Sequence, residues 1–130
     1  MRLPHPHLII LRSVATLELS AVIGQAGWAA AFLGGEAQYR AFHEVGATVT
    51  VALCALGAVV YAWLRRAAGP VNLALAVLLA VVVGVQYVLG QSGAASAHIF
   101  IGVLIAMLAT ALTSWTYRHQ WSPERAGVTR

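Results

Sequence analysis

Residues 71–90 read VNLALAVLLAVVVGVQYVLG, a run of 20 residues without a charged side chain. A helix of this length crosses the hydrocarbon core of a bilayer, which is roughly 30 Å thick. Similar apolar runs recur along the chain, and the sequence predicts four membrane spans at about 13–33, 42–64, 71–90 and 97–117. Short polar links join them. We therefore expect an all-α membrane protein whose single domain, residues 1–130, is an antiparallel up-down bundle of four transmembrane helices.

The composition supports a membrane location and argues against nucleic-acid binding. The chain is 60% hydrophobic and 9% charged, and its net charge of +4 comes from arginines in the segments between the apolar runs. Arg40 alone falls on one side of the predicted membrane and the other seven arginines on the opposite side. Because basic residues concentrate in cytoplasmic loops, both termini and the tail 118–130 are predicted to be cytoplasmic, in a bacterial-type plasma membrane. Lipid is the expected surrounding, and no nucleic-acid partner is expected.

Two of the predicted spans have a histidine near their first residue: His43 in the second span and His98 in the fourth. A histidine within an apolar helix is costly and indicates a functional role. Arg65 follows His43 by 22 residues, and Arg118 follows His98 by 20. At 1.5 Å per residue the two imidazoles therefore lie at similar depth, on helices that are diagonal to each other in this bundle topology. The pattern predicts that they bind one haem b as axial ligands from opposite sides.

Other predicted site residues surround this pair. Small or short side chains one or more turns beyond the histidines leave room for a porphyrin: Gly46, Ala47, Thr50 and Gly102. Arg40 lies three residues before His43 and is expected to pair with a haem propionate. Gln86 or Tyr87 is expected to supply a hydrogen bond.

Two other interpretations of the histidines remain open. Each can be an interfacial polar residue bonded to a nearby carbonyl, with the glycines serving helix packing. Alternatively the pair belongs to a zinc or copper site to which Glu36, Glu44 and Gln91 add oxygen ligands. Glu18, in the first span, is predicted to be a shallow carboxylate near the interface, with a proton-relay role as the alternative.

Short motifs of the chain resemble the haem A synthase family, an enzyme of two similar four-helix halves, each with a histidine pair that can hold a haem. Residues 86–91, QYVLGQ, followed by 97–102, AHIFIG, are similar to the family's glutamine, leucine-glycine and histidine pattern. Residues 39–44, YRAFHE, align with its glutamate and histidine-arginine motif, and 24–35 resemble the glycine-rich end of its opening helix. The resemblance implies one haem-binding half.

The sequence departs from that family at the positions that serve catalysis. Arg40 stands where the family has glutamate, Glu44 stands where it has arginine, and the outer-loop cysteine pair has no counterpart. We therefore expect no haem A synthase activity but a b-type cytochrome-like protein for electron transfer or haem handling, as a homodimer or within a membrane redox complex. The alternatives are a cofactor-free accessory subunit of a respiratory or photosynthetic complex, and a small transporter or haem-modifying enzyme.

Overall fold

The computed structural model describes residues 4–121, and this part of the chain is built from helices. Four helices follow one another: α1 (Pro6–Leu33), α2 (Tyr39–Trp63), α3 (Arg65–Gln91) and α4 (Ala95–Arg118). Each is long and apolar enough to cross a membrane. The predicted all-α class with four membrane-length helices is confirmed.

The first helix starts much earlier than its apolar run. α1 begins at Pro6, whereas the predicted span begins at residue 13. Proline suits the first helical position because its missing N–H would have no partner there. The backbone N–H of His7 donates to His5 Nδ1 at 3.2 Å, which satisfies another free donor of this first turn. Residue 13, where the predicted span begins, is therefore already about two turns into α1.

A glycine shapes the connection between α2 and α3. The sequence predicts a tight turn at 67–70, and the structure has one helical turn after Leu64 and then a non-helical Gly69 with φ 75°. Glycine adopts this left-handed conformation at little cost, and Pro70 begins the long part of α3. The two helices can therefore pack side by side directly after the junction.

The packing arranges the four helices around one core. α1 packs against α2 and α4, and α3 also packs against α2 and α4, so α2 and α4 face each other across the bundle. The largest fully buried apolar side chains are Tyr61, Leu11, Leu79 and Leu112. Many large apolar side chains point outward, among them Trp63, which is 81% exposed. An apolar exterior on long helices is what a lipid environment favours.

Polar contacts tie the helices together at the end of the bundle that contains Arg12, here called the arginine end. The Tyr61 hydroxyl donates to the Leu11 carbonyl at 3.1 Å and lies 2.8 Å from Thr116 Oγ1. Nη2 of Arg12 donates to the Tyr117 carbonyl at 3.1 Å. These contacts join α1, α2 and α4. The opposite end, here called the histidine end, contains His43 and His98.

Candidate functional site

His43 and His98 meet inside the histidine end of the bundle. His43 lies in the second turn of α2 and His98 in the first turn of α4, and these two helices face each other diagonally. The ring centroids are 6.1 Å apart, with the ring planes at 90°. Both side chains are half-buried. Two imidazoles from opposite helices therefore share one small volume.

A backbone carbonyl fixes each of the two rings. His43 Nδ1 lies 3.1 Å from the Gln25 carbonyl oxygen, and His98 Nδ1 lies 3.0 Å from that of Gln86. A carbonyl oxygen only accepts, so each Nδ1 carries the hydrogen and donates it. Nε2 is then the ring nitrogen that can offer a lone pair to a metal. Metal-binding histidines are held in this way, with the second ring nitrogen donating to an outer partner.

The two helical hairpins repeat the same local arrangement. In each, the glutamine that supplies the carbonyl packs over a glycine about one turn beyond the histidine. A Cβ at Gly102 would lie 3.1 Å from Gln86 Nε2, and a Cβ at Gly46 would overlap the amide nitrogen of Gln25. The glycines thus let α1 approach α2, and α3 approach α4, at the height of the rings.

The two glutamine side chains differ in their hydrogen bonds. Gln86 Nε2 donates to the His98 carbonyl at 2.7 Å, so these two residues are joined twice. Within residues 4–121, both amide atoms of Gln25 and the Oε1 atom of Gln86 are buried without a hydrogen-bond partner. Buried polar atoms usually have a partner. These three atoms are exceptions to that rule, and all three belong to the glutamines whose carbonyls hold the rings.

A cavity of about 410 Å³ adjoins the histidine pair, and all four helices line it. Such a volume falls in the range of about 300–1,000 Å³ found for small-molecule sites. Most of the wall is aliphatic, and α1 contributes the small side chains Ala26, Ala29 and Ala30. The polar side chains of the wall come from the two histidines, two glutamines, Thr50 and Tyr87. An apolar cavity with few polar groups suits a large, mainly apolar cofactor.

Most residues predicted for the site line this cavity. Seven of the nine do so: His43, Ala47, Thr50, Gln86, Tyr87, His98 and Gly102. Gly46 instead packs against Gln25 and the Trp28 ring of α1, so its role is in the contact of α1 with α2. Arg40 lies outside the cavity wall and pairs through Nε with Glu44 Oε1 at 2.9 Å. These two side chains are 74% and 58% exposed.

The alternative of a zinc or copper site lacks further ligands in the described part of the chain. Residues 4–121 contain no group of three or more His, Cys, Asp or Glu side chains placed to hold a metal ion. Glu44 pairs with Arg40, and Glu36 accepts from Gln38 Nε2 at 3.4 Å. A closed zinc site takes four protein ligands, whereas a haem brings its own equatorial nitrogens and needs only axial ones.

Sequence reasoning missed two residues that position the rings. Gln25 supplies the carbonyl to His43, and Gly90 lies against His98, where a Cβ would be 3.0 Å from Cε1. Gln25 could have been found from the sequence, because a polar amide side chain within an apolar run often marks a functional site. Gly90 belongs to the leucine-glycine pair of the family-like motif, but no role followed from that, since glycines are frequent in membrane helices.

The structure places the Glu18 side chain inside the bundle, while its predicted shallow depth in the membrane stays a prediction. Its side chain is fully buried, near the middle of α1, and a Cβ at Gly57 of α2 would overlap its carboxylate. Glu18 is therefore part of the bundle interior and lies outside the cavity wall.

Comparison with known proteins finds no matching family model, no matching curated protein and no matching solved structure. The histidine pair and the adjoining cavity therefore carry the functional assignment.

Proposed function

We propose that this chain is an integral membrane protein of the b-type cytochrome kind, which holds one haem b between His43 and His98 for electron transfer or haem handling. The observation that carries the proposal is the pair of imidazoles 6.1 Å apart, each with Nδ1 bonded to a carbonyl. Nε2 of each ring then remains to bind iron. The site would bind a haem, and none of its residues is proposed to be catalytic.

The ring separation fits two axial bonds to one metal ion. A bond from a metal to an imidazole nitrogen is about 2 Å long, and each ring centroid lies roughly 1 Å behind its nitrogen, which gives about 6 Å between centroids. The observed 6.1 Å agrees with this sum. The carbonyls of Gln25 and Gln86 already hold the two rings through Nδ1, so the ring positions do not depend on a hydrogen bond between the rings.

The surrounding residues receive roles from their positions. Ala47, Thr50 and Gly102 provide space in the cavity wall. Gln25 and Gln86 orient the rings through their backbone carbonyls. With His43 and His98 both bound to it, a haem would supply electron-transfer chemistry rather than oxygen chemistry. Arg40 would bind a propionate by exchanging its Glu44 partner for it, which a surface ion pair of about 0–1 kcal/mol permits.

The arginine distribution supports an orientation for the bundle. Seven of the eight arginines lie in segments that one side of an up-down bundle would carry, which favours cytoplasmic N and C termini in a bacterial-type plasma membrane. The histidine site then lies toward the outer face. In a homodimer, Gly27 and Gly84 could face the partner, because a Cβ at either position would meet nothing within 4 Å, whereas Gly46 and Gly57 already pack inside the bundle.

Optical spectroscopy tests the proposal directly. The chain is expressed with a haem precursor supplied, purified in detergent, and its spectrum recorded oxidised and reduced. We expect a low-spin spectrum with a sharpened alpha band on reduction, and its loss in His43→Ala and in His98→Ala. His7→Ala is the matched control because His7 packs against Trp121 away from the cavity, so it should keep the spectrum.

Two results contradict the proposal. One is wild-type protein that folds but shows no haem spectrum with haem available. The other is haem retention after both histidines are replaced. Purification without haem but in fixed ratio with other membrane subunits would instead support the accessory-subunit alternative.

A further inference from the structure

Glu18 is a buried carboxyl group that the haem site does not use. Its side chain has no exposed surface, and neither carboxyl oxygen has a hydrogen-bond partner within residues 4–121. It lies against Gly57 of α2, where any larger residue would overlap it. An ionised carboxylate without a partner in such an interior costs several kcal/mol, so the structure requires a positively charged species that neutralises it.

The groups around Glu18 favour a proton over a metal cation. Calcium takes six to eight oxygen ligands and magnesium six, whereas only the two oxygens of Glu18 are unpartnered here. The hydroxyl of Tyr61, two turns nearer the arginine end, is already bonded to Leu11 and Thr116. A single proton neutralises a carboxylate without any further ligand.

The charged and titratable neighbours of Glu18 are few. Cys54 and Tyr61 of α2 are fully buried on the same stretch, and neither is a cation. On α1, Arg12 lies six residues away and directs its Nη2 to the Tyr117 carbonyl. Residues 71–91 of α3 and 99–117 of α4 contain no Asp, Glu, Lys, Arg or His. No basic side chain is therefore available to serve as a permanent partner in these segments.

Glu18 lies on the side of the cavity that faces the arginine end. Val22, one turn further along α1, lines the cavity wall, as does Thr50, one turn before Cys54 on α2. Gly57, against which the carboxylate lies, follows His43 by 14 residues, about 21 Å along α2 at 1.5 Å per residue. Buried charges are screened much less than exposed ones, so they interact over this distance. A change of charge inside the cavity therefore alters the stability of an ionised Glu18.

We propose that Glu18 is a proton-binding site coupled to the haem site: Glu18 would bind one proton from the aqueous phase for each electron that a one-electron donor in the membrane delivers to a bound haem. When the electron passes on to a one-electron acceptor, Glu18 would release the proton to the aqueous phase, so that one proton accompanies one electron in each direction. This inference rests on the proposed haem binding at His43 and His98. Its physical basis is that the added electron disfavours a negative carboxylate nearby, and protonation removes that charge.

The midpoint potential of the haem, measured by optical redox titration at several pH values, tests the coupling. Proton uptake on reduction makes the wild-type potential fall as pH rises, by up to about 59 mV per tenfold change in proton concentration for one electron. Glu18→Gln should flatten this dependence, and Glu18→Asp, which keeps a carboxyl group, should retain it. Glu44→Gln is the control, because Glu44 is an exposed carboxylate paired with Arg40.

A Glu18→Gln variant that keeps the full wild-type pH dependence overturns the proposal. If the midpoint potential responds to sodium concentration and not to pH, the cation that neutralises Glu18 is sodium and the proposal of a proton is wrong. Infrared spectroscopy supplies a readout without haem, since a protonated Glu18 gives a carboxylic-acid C=O band that Glu18→Gln lacks and Glu44→Gln keeps. Protein without a haem spectrum would refute the proposed function and the coupling, while this band would still report the proton site.

Discussion

Gly90 of α3 lies against the ring of His98. A Cβ at position 90 would be 3.0 Å from Cε1 and 3.3 Å from Nδ1 of that ring, closer than ordinary van der Waals contact. The same ring nitrogen bonds to the Gln86 carbonyl, one turn earlier on α3. The ring can approach α3 this closely because position 90 has no side chain.

Gly90→Ala is expected to weaken haem binding about tenfold, the lower end of what disturbance of an outer partner of a ligating histidine costs. The added methyl group displaces the His98 ring and lengthens its bond to Gln86. Titration of haem-free protein with haem, followed by absorbance, measures the change. Gly84→Ala, where a Cβ meets nothing within 4 Å, should bind as wild type. Equal affinities of the two variants would refute the positioning role of Gly90.

Gly46→Ala is expected to lower the free energy of unfolding by about 1–3 kcal/mol, the usual cost of an extra methyl group in a packed region. Its Cβ would overlap the Gln25 amide and the Trp28 ring of α1. The amide is the flexible end of a side chain, but the indole ring must move as a body. Unfolding in a denaturing detergent, followed by circular dichroism, gives the free energy.

Gly24→Ala is the control for Gly46→Ala because a Cβ at position 24 has nothing within 4 Å. It should leave stability unchanged or raise it by up to about 1 kcal/mol, since alanine favours helix over glycine. If Gly46→Ala were as stable as Gly24→Ala, α1 and α2 would not pack as closely as the structure has them.

The fold could be predicted because membrane spans are a local property of the sequence. An apolar run of about 20 residues is enough to identify a spanning helix, and its constant rise places His43 and His98 at similar depth. The rotation of each helix about its axis could not be predicted, because lipid-facing and core-facing residues are equally apolar. The contacts of Gln25 and Gly90 depend on that rotation. The burial of the Glu18 side chain against α2 depends on the rotation of α1 in the same way.

Tyr61→Phe is expected to destabilise the protein by about 1–3 kcal/mol, because the loss of the hydroxyl leaves buried polar partners unsatisfied. The partners are the Leu11 carbonyl and Thr116 Oγ1, at 3.1 and 2.8 Å. Tyr117→Phe removes an exposed contact with Thr16 Oγ1 and should have little effect. The two unfolding free energies are compared under identical detergent conditions. Equal losses would mean that the hydroxyl of Tyr61 does not join α1, α2 and α4 as described.

Gly69→Ala and Gly93→Ala separate backbone strain from side-chain contact. Both glycines have φ 75°, so alanine costs roughly 1–2 kcal/mol at either position. At position 69 the new Cβ would also lie 3.1 Å from His119 Cε1, whereas at position 93 nothing lies within 4 Å. We therefore expect Gly69→Ala to be the less stable variant. Its extra loss should disappear when His119 is also changed to Ala, and a double-mutant cycle with unfolding free energies measures this. An extra loss that persists without the His119 ring would have to come from the backbone of the α2–α3 junction itself.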